Sequence, residues 1–434
     1  MKTILIKGGR VIDPASSLDA EFDVLLRGGK VAAIEAPGKL KGNKDEEIQV
    51  IDARGLVVAP GLVDIHVHLR EPGQGYKETI ASGTAAAAAG GFTSVCAMPN
   101  TIPVNDSPET TRWMQSADRG AVVRVFPIAA ATRGSAGEAL SEYGSLKAAG
   151  AVAVTDDGKP ILNDAVMRQS LAAAARAGLP VIQHAEDTRL TVNCSMNAGP
   201  MAFALGLRGM PVEAESGLVD RDIRLLAEFK DARPHLHVAH VSTAAALESI
   251  GRARRNGLRI TCEVAPHHFL LTEEAVGLYN TNAKMNPPLR SAADRDAMVA
   301  GILDGTVDAI ATDHAPHATH EKEQEFERAP NGITGLETAL GLSLSWLHKT
   351  HKLPLTRVIS LLSTQPAAVL GLKGRGSLAV GSFGDVVLFD PAKEWVFEAS
   401  QSRSKSKNTP FDGVTMLGKV HTTISEGRVV FAAE

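Results

Sequence analysis

The chain has 434 residues, of which 44% are hydrophobic and 22% are charged. This composition excludes a disordered or fibrous protein, and the length allows two or three domains or one large barrel with an additional unit. The formal net charge of −4 gives no electrostatic reason to bind nucleic acid or an anionic membrane. Three cysteines without CxxC spacing exclude a disulfide framework and favour the reducing environment of the cytoplasm.

Two segments bear on membrane targeting. The first residues lack the long apolar run of a secretory signal, so we expect a cytoplasmic protein. Residues 80–105 carry no charge and are long enough to span a bilayer. However, Gly90, Gly91 and Pro99 interrupt this stretch. It is therefore predicted as a buried helix followed by a buried strand, in a soluble protein.

Both ends of the chain have the pattern of short strands separated by glycine turns. Strands are predicted at residues 4–7, 11–12, 23–27, 31–34, 48–52 and 56–58, and then at 385–389, 420–425 and 428–431. Neither end is long enough to form a robust sandwich alone. We therefore predict that residues 1–59 and 373–434 form one composite small β domain, a β-sandwich built from both chain ends.

Residues 60–372 alternate short apolar strands with amphipathic helices. The predicted strands are 62–66, 92–98, 122–128, 152–155, 181–184, 236–240, 258–263 and 307–312. Helical sequence with readable ends follows them; for example, Ser107, Pro108 and Glu109 are typical of a helix start. Strands that each precede a helix predict an α/β fold, here a parallel (β/α)8 barrel of the TIM type.

Polar side chains follow several of these strands, at the ends that share one face of such a barrel. They are His66, His68, Asn100, Asp156, Asp157, His184, His240 and Asp313. Strand alternation places His66 and His68 on the same side of their strand. A lone His-x-His is a weak indication, and a single buried histidine is usually structural. Four histidines with one or two aspartates at five strand ends are a much stronger pattern, and they predict a site for zinc or a related divalent ion.

This set of side chains is large enough for one or two ions. An open coordination position would hold water, whose pKa falls toward neutrality. Asp313 could accept the proton of that water and return it to a leaving nitrogen. The constellation predicts metal-assisted hydrolysis of an amide-like bond. His267 and His268 follow the seventh strand and either reach the site or pack in the core, whereas His235 and His237 are predicted to be structural.

The segment Val63–Gly73, VDIHVHLREPG, resembles the signature of the dihydroorotases, in the cyclic amidohydrolase group of the amidohydrolase superfamily. The resemblance continues in order over essentially the whole predicted barrel. The further matching blocks are Met98-Pro99-Asn100, Thr155-Asp156-Asp157-Gly158, Gln183-His184-Ala185-Glu186, Asn286-Pro287-Pro288-Leu289-Arg290 and Thr312-Asp313-His314-Ala315-Pro316-His317. Blocks in this order are far more specific than any single motif.

This resemblance implies the reversible closure of N-carbamoyl-L-aspartate to L-dihydroorotate plus water, a step of pyrimidine biosynthesis. It implies zinc ligands at His66, His68, an aspartate of the fourth strand, His184, His240 and Asp313. It also implies substrate contacts from His68, Arg70, Asn100, Asn286, His317, Asn331 and Gly332.

The fourth strand separates this branch of the superfamily from its neighbours. Hydantoinases and allantoinases usually have a carboxylated lysine there as the bridging ligand, and the dihydroorotase branch has an aspartate. Here the strand is followed by two adjacent aspartates. The spacing to His184 favours Asp157, and Asp156 is the alternative.

Arg70 adds a physical argument for the substrate. Its guanidinium lies two residues past His68 on the same rim and can bind a carboxylate with two hydrogen bonds. Dihydroorotate and carbamoyl aspartate carry that carboxylate, and a plain hydantoin does not. The polar segment from His317 to Pro330 follows the last strand, where loops commonly close over substrate, so we expect a mobile lid.

Two alternatives stay open at this stage. One is another cyclic amidohydrolase, namely a hydantoinase (dihydropyrimidinase) or an allantoinase. The other is a non-catalytic barrel subunit that assembles with aspartate transcarbamoylase, which the complete ligand set disfavours. A homo-oligomer is expected in either case.

Overall fold

The computed structural model describes residues 2–40, 47–230 and 233–433, and these residues have an α/β fold. The strands are, in chain order, β1 (Thr3–Asp13), β2 (Leu18–Arg27), β3 (Lys30–Glu35), β4 (Ile48–Asp52), β5 (Val57–Pro60), β6 (Leu62–Val67), β7 (Phe92–Ala97), β8 (Arg124–Pro127), β9 (Ala129–Ala130), β10 (Val154–Thr155), β11 (Val181–Gln183), β12 (Met196–Asn197), β13 (Gly209–Met210), β14 (Leu236–Val238), β15 (Ile260–Val264), β16 (Ala309–Ile310), β17 (Val386–Val396), β18 (Thr415–Ser425) and β19 (Arg428–Ala432).

The helices fall mainly between the parallel strands. They are α1 (Ile80–Ala89), α2 (Pro108–Met114), α3 (Tyr143–Ala149), α4 (Asp164–Ala177), α5 (Pro200–Leu205), α6 (Glu213–Ala227), α7 (Ala244–Arg255), α8 (Pro266–Leu270), α9 (Ala292–Asp304), α10 (Thr319–Lys322), α11 (Ala339–Ser343), α12 (Leu355–Ile359) and α13 (Gln365–Val369). Helix α11 continues as a π-helix over Leu344–Thr350, and a second π-helical turn, Ser360–Thr364, joins α12 to α13.

The two chain ends share one mixed sheet, as the sequence predicted. Its strand order is β19-β18-β17-β5-β1-β2-β3, and β4 also pairs with β1. The ends meet where β17 runs antiparallel to β5, with Val387 opposite Ala59. Ile6, Leu388 and Ile424 belong to the same buried cluster, so burial of apolar surface as well as backbone hydrogen bonding holds the ends together. Because the strands pair into one continuous sheet, their division into the two layers of a sandwich stays a prediction.

The parallel strands between the ends follow one another in space. One group is β6-β7-β8, and a second runs β9-β10-β11-β14-β15-β16. Only Ile128 separates β8 from β9, so the predicted strand 122–128 appears as two short pieces. Beyond β16, the backbone N–H of His68 donates to the carbonyl of His314 at 2.8 Å. Asp64 in β6 also accepts a hydrogen bond from the Thr312 hydroxyl at 2.6 Å. The end of the last strand therefore lies beside the first.

Alternation along these strands gives them two buried faces. Val95 belongs to the large cluster that includes the helices, whereas its neighbour Cys96 belongs to a second cluster with Ile65 and Ile182. Strand residues with both faces buried explain why the sequence shows apolar runs here rather than alternating polarity.

The uncharged stretch 80–105 is a buried helix followed by a buried strand, as predicted. Thr79 begins α1 with a reciprocal cap to Ser82, and β7 follows the helix after a two-residue turn. The Thr423 hydroxyl donates to the carbonyl of Ala88 at 2.7 Å and so ties α1 to the chain-end sheet. Within the described residues, no helix has the length and apolar character needed to cross a membrane.

Candidate metal and substrate site

Six of the predicted side chains lie together at the ends of the parallel strands. They are His66 in β6, His68 just after it, Asp157 after β10, His184 after β11, His240 after β14 and Asp313 after β16. All six are buried. Because the carboxyl ends of parallel strands share an edge, residues far apart in sequence meet here.

The donor atoms form overlapping groups. His66 Nε2 lies 3.5 Å from Oδ1 of both Asp157 and Asp313. His68 Nε2 lies 3.1 Å from Asp313 Oδ1 and 3.5 Å from Asp157 Oδ2. On the other side, His184 Nδ1 and His240 Nε2 are 2.9 Å apart, and each is 3.8 Å from Asp157 Oδ1. Asp157 therefore faces two sets of histidines.

The two adjacent aspartates of the fourth strand have different surroundings. Asp156 accepts hydrogen bonds from the backbone N–H of Thr132, at 2.9 Å, and from the Thr132 hydroxyl. These bonds turn its carboxylate toward the preceding strand segment, away from the histidine cluster. Only Asp157 joins that cluster.

Three of the histidines are held from their outer nitrogen by an oxygen acceptor. His66 Nδ1 lies 2.6 Å from Glu263 Oε1, His68 Nδ1 lies 2.9 Å from Asn100 Oδ1, and His184 Nε2 lies 2.9 Å from Glu186 Oε2. An acceptor on one nitrogen fixes the hydrogen there, so the other nitrogen of a neutral ring presents its lone pair.

Those lone pairs point at carboxylate oxygens, which are themselves negative. Such an arrangement is repulsive unless a cation, either a proton or a metal ion, lies between. His66 Nε2 illustrates the point, since it is fully buried and has no hydrogen-bond partner among the described residues. Imidazole and carboxylate donors with outer hydrogen bonds of this kind match a zinc site. The residues present therefore fit the metal that the sequence predicts.

Glu263, at the end of β15, links the site to the core. Its second oxygen lies 3.1 Å from His237 Nε2, and His237 Nδ1 lies 2.8 Å from the Thr261 hydroxyl, which His235 also contacts. Burial opposes ionisation of Glu263, but the His66 and His237 rings lower its pKa to about 2. Glu263 is thus a carboxylate at neutral pH and a strong acceptor for the outer N–H of His66.

Asp313 is buried beside His66 and His68 and is ionised. Burial would raise its pKa, but the His66 and His68 rings hold the pKa well below its usual range. Its Oδ1 faces the histidines, and within the described part of the chain no hydrogen bond reaches Oδ2. One oxygen can therefore contact an ion while the other remains available to a proton.

Backbone strain is concentrated at this site. Arg70, His240 and Asp313 have φ of 61°, 31° and 47°, in the left-handed region that non-glycine residues rarely adopt. Each such residue costs roughly 1–3 kcal/mol and persists only where its surroundings hold it, which is common at functional sites.

Arg70 provides a positive charge without a counterion. It is 9% exposed, its Nε donates to the carbonyl of Pro316 at 3.0 Å, and Nη2 lies 3.2 Å from His317 Nε2. Among the described residues it forms no ion pair, and burial lowers its pKa to about 10. A buried guanidinium without a partner carboxylate can bind an anion with two charge-assisted hydrogen bonds.

His317 beside it is neutral. Burial, together with Arg70 and Lys77, lowers the pKa of His317 to about 2. Its Nε2 accepts from Arg70, and its Nδ1 lies 3.4 Å from Lys77 Nζ and 3.5 Å from Glu321 Oε2. Lys77 Nζ in turn lies 3.0 Å from Glu321 Oε1.

Of the other predicted substrate residues, some lie at the site and one is exposed. Asn100 bridges His68 and Asp157, with its Nδ2 3.1 Å from Asp157 Oδ2. Asn286 Nδ2 donates to Glu186 at 2.8 Å, and its buried Oδ1 has no partner within the described ranges. Gly332 lies against His317, but the Asn331 side chain is exposed.

His267 and His268 are buried beside the site and are not part of the clustered ligands. His268 Nε2 contacts the carbonyl of Pro287 at 2.9 Å, and burial lowers its pKa to about 4. Of the two roles that the sequence allowed for this pair, the contacts favour packing.

Comparison with known proteins decides the family. A family model described as "Dihydro-orotase-like" matches residues 55–246. Over 99% of its length the chain is 52% identical to the dihydroorotase of Citrifermentans bemidjiense, of which it covers 100%. It is also 49% identical to the dihydroorotase of Syntrophus aciditrophicus, with 99% of each chain covered. The chain belongs to the dihydroorotase family.

Two solved structures that resemble this dihydroorotase-family chain carry other names. An L-hydantoinase (dihydropyrimidinase) from Arthrobacter aurescens matches with a TM-score of 0.87 and 26% identity, covering 99% of this chain and 96% of the other. A dihydropyrimidinase from Brevibacillus agri NCHU1002 matches with a TM-score of 0.84 and 25% identity, at 99% and 95% coverage. The resemblance to the cyclic amidohydrolase group found in the sequence is thereby confirmed.

Two lysines hold the segment that follows the last strand in this dihydroorotase-family protein. Lys284 Nζ donates to the carbonyls of Phe326, Glu327 and Ala329 at 2.6, 3.0 and 2.7 Å. Lys322 Nζ donates to the carbonyls of Pro330 and Gly332 at 2.8 and 3.2 Å. The mobile lid that the sequence predicted at 317–330 stays a prediction, and the structure adds specific contacts to this segment.

Proposed function

We propose that this protein is a zinc-dependent dihydroorotase, which interconverts N-carbamoyl-L-aspartate and L-dihydroorotate plus water. The observation that carries the proposal is a set of three buried histidines, His66, His68 and His184, each held at its outer nitrogen by an acceptor. The inner nitrogens of His66 and His68 face Asp157 and Asp313, and that of His184 faces His240 and Asp157. The relatives at about half identity over nearly the full length support the substrate class.

In this proposal the fold is a closed (β/α)8 barrel over residues 60–372, and residues 1–59 and 373–434 form the composite small domain. Asp64 contacts Thr312 and His68 contacts His314, and these contacts support closure of the barrel between its first and last strands. Only one residue separates β8 from β9, which supports a continuous run of barrel strands between the two groups of parallel strands.

We assign His66, His68, Asp157, His184, His240 and Asp313 as the zinc ligands, with Asp157 shared between two positions. The contacts of Asp156 with Thr132 argue against the alternative aspartate. The overlapping donor groups can hold one ion or two. A bound ion supplies two effects: it lowers the pKa of a coordinated water, and it polarises the carbonyl of the amide that is cleaved.

Proton transfer falls to Asp313. In hydrolysis the bond between the ring carbonyl carbon and its nitrogen breaks while a new carbon–oxygen bond to water forms. Asp313 Oδ2 takes the proton released by the water and delivers it to the departing nitrogen. In the biosynthetic direction the same oxygen removes a proton from the carbamoyl nitrogen as that nitrogen attacks the carboxyl carbon, and it returns the proton to the carboxyl oxygen, whose bond to carbon breaks so that it leaves as water.

Arg70 and His317 bind the carboxylate that remains on the ring. Arg70 is buried and lacks a counterion, so the substrate carboxylate supplies the charge that the pocket is missing. Asn286 offers an unpaired Oδ1 near Glu186, and the Gly332 turn closes the pocket beside His317. A plain hydantoin or dihydrouracil would leave Arg70 without its partner.

The alternative functions have weaker support than the dihydroorotase function. The hydantoinase names belong to structures that share about a quarter of their residues with this chain, and the dihydroorotase relatives share about half. A non-catalytic subunit would have no need of the complete donor set. A cytoplasmic location, a homo-oligomer and a complex with aspartate transcarbamoylase stay predictions.

The deciding experiment is turnover of L-dihydroorotate by purified protein, with the metal content measured on the same sample. We expect zinc to co-purify, activity to disappear on chelation and activity to return when zinc is added. Turnover of hydantoin or dihydrouracil in preference to dihydroorotate would instead support the hydantoinase alternative. A protein that binds zinc and turns over none of these substrates would contradict the proposed function.

A further inference from the structure

A segment from the C-terminal part of the chain crosses the substrate side of the site. We call residues 402–408 the strap. Its sequence is polar and basic, yet Ser404, Ser406 and Asn408 are buried. Ser404 and Lys405 both donate to the carboxylate of Glu78, through a hydroxyl and a backbone N–H. The strap is thus docked against the loop that follows β6.

Asn408, the last residue of the strap, contacts the backbone of the substrate pocket. The side-chain Oδ1 of Asn408 accepts the backbone N–H of His317 at 2.9 Å. Its Nδ2 donates to the carbonyls of Ala315 and Gly332, at 3.0 and 2.9 Å. Its own carbonyl accepts the backbone N–H of Thr334 at 2.9 Å. One amide therefore joins the two backbone segments that form the end of the pocket.

These two segments hold the side chains that we propose bind the substrate carboxylate. Between Ala315 and His317, the carbonyl of Pro316 accepts from Arg70 Nε at 3.0 Å. Gly332 has φ of 156°, and a Cβ there would lie 2.5 Å from the Ala315 carbonyl oxygen and 2.7 Å from His317 Cδ2. Small displacements of either segment would therefore move His317 relative to Arg70.

Packing alone does not fix this arrangement. A cavity of about 170 Å³ lies between the strap and the segment after His317, and it is lined by Lys322, Lys407 and Asn408 among others. Side chains do not fill this space, so the hydrogen bonds of Asn408 contribute to holding His317, together with the backbone contacts of Ala315 and Gly332. Without them, the buried backbone N–H of His317 and the carbonyl of Ala315 would lose their partners, and the Gly332 carbonyl would keep only Lys322.

We propose that Asn408 is a positioning residue for the carboxylate-binding pair Arg70 and His317, so that the C-terminal part of the chain completes the substrate pocket. The inference rests on the proposed dihydroorotase function, since it takes the substrate carboxylate as the ligand of that pair. Asn408 itself touches neither the reacting atoms nor the zinc ligands in the described contacts.

The test compares Asn408→Ala with Ser402→Ala in the zinc-loaded, full-length protein. Ser402 lies on the same strap, and its hydroxyl donates to Glu337 rather than to the pocket. For Asn408→Ala we expect KM for L-dihydroorotate to rise about tenfold or more, because a misplaced Arg70–His317 pair loses charge-assisted hydrogen bonds to the carboxylate. The slow turnover of dihydrouracil, which lacks the carboxylate, should be unchanged. Ser402→Ala should match the parent on both substrates.

A second measurement does not depend on activity. The backbone N–H of His317 should exchange with solvent at least tenfold faster in Asn408→Ala than in Ser402→Ala, as measured by mass spectrometry on peptides covering 313–320. If the parent protein turns over neither substrate, the proposed function fails, and this exchange rate still tests the positioning role of Asn408.

The proposal is overturned if Asn408→Ala lowers kcat equally on both substrates with KM unchanged, since that pattern means only a loss of folded protein. Unchanged exchange at His317 would overturn it as well. Should Asn408→Ala fail to fold, Asn408→Asp replaces it. That variant keeps the volume and the acceptor for His317 but loses both donors, and the same rise in KM is expected.

Discussion

Glu263 Oε1 lies 2.6 Å from Nδ1 of His66, at the edge of the ring away from Asp157 and Asp313. This contact decides which nitrogen of His66 carries its hydrogen, and it leaves Nε2 free for an ion. A residue that makes no contact with the ion can therefore control its affinity.

Glu263→Gln should weaken zinc binding by about 10- to 100-fold, the usual effect of losing an outer partner of a ligand histidine. A neutral amide is a poorer acceptor, and it can also present its N–H₂ to the ring and favour the wrong tautomer. Zinc retained after dialysis against a graded series of chelator concentrations measures the effect. Asp23→Asn, a buried carboxylate in the chain-end sheet, serves as the control and should keep its zinc. Equal retention in the two variants would contradict the role of Glu263.

Asp313→Asn tests the proton transfer. The substitution keeps the shape of the side chain but removes the acceptor at Oδ2, so kcat should fall by about 100-fold or more. The variant should fold and still bind zinc through the remaining donors, which the metal content of the same sample checks. A kcat within a factor of a few of the parent would show that another group moves the proton.

Lys284→Met tests how the segment 317–330 is held. Burial lowers the pKa of Lys284 to about 8, so at pH 7 the ammonium is charged and donates to three carbonyls. Charged hydrogen bonds of this kind contribute about 1.5–3 kcal/mol, so their loss should raise the protease sensitivity of 317–330 about tenfold or more. Lys373→Met, at an exposed position, is the matched control. Unaltered cleavage in Lys284→Met would mean that other contacts fasten the segment.

Much of the ligand set follows from the sequence because it depends on local rules. Strand alternation places His66 and His68 on one side of a strand, and the shared face of parallel strands brings His184, His240 and Asp313 to them. The same rule could have found Glu263, since it ends the predicted seventh strand. His267 and His268 follow the same strand, and the structure packs them beside the site.

Other features depend on contacts between distant parts of the chain, which no local pattern encodes. Asn408 reaches His317 only because β17 pairs with β5 and brings the C-terminal segment back to the barrel strands. The choice between Asp156 and Asp157 depends on Thr132, which precedes them by more than 20 residues in sequence. Likewise, the pinning of 317–330 by Lys284 needs the two loops in their folded positions.

Arg70→Met tests the substrate class. If Arg70 binds the carboxylate, the parent protein should turn over L-dihydroorotate at least tenfold better than dihydrouracil, since an unpaired buried charge costs about 1.5–3 kcal/mol. The variant should lose most of its dihydroorotate activity, keep its zinc and show a smaller gap between the two substrates. Steady-state kinetics on both substrates with metal-replete samples provide the measurement. A parent that prefers dihydrouracil, with Arg70→Met nearly silent, would favour the hydantoinase alternative.

His235 predicts a specific pH dependence of stability. Burial lowers its pKa from 6.5 to about 3, so the folded protein leaves this ring neutral where the unfolded chain protonates it. The contribution of the neutral His235 ring to the free energy of unfolding is therefore fully present above pH 6.5 and is lost progressively as the pH falls toward 3. His235→Gln keeps a donor for Thr261 but does not titrate, so between pH 6.5 and 4.5 it should lose about 2 kcal/mol less of its free energy of unfolding than the parent. Urea unfolding at a fixed total zinc concentration measures the difference, in which pH effects on the metal site cancel. His421→Gln, at an exposed position, should follow the parent. Parallel pH profiles for the parent and His235→Gln would show that His235 takes up its proton in the folded state.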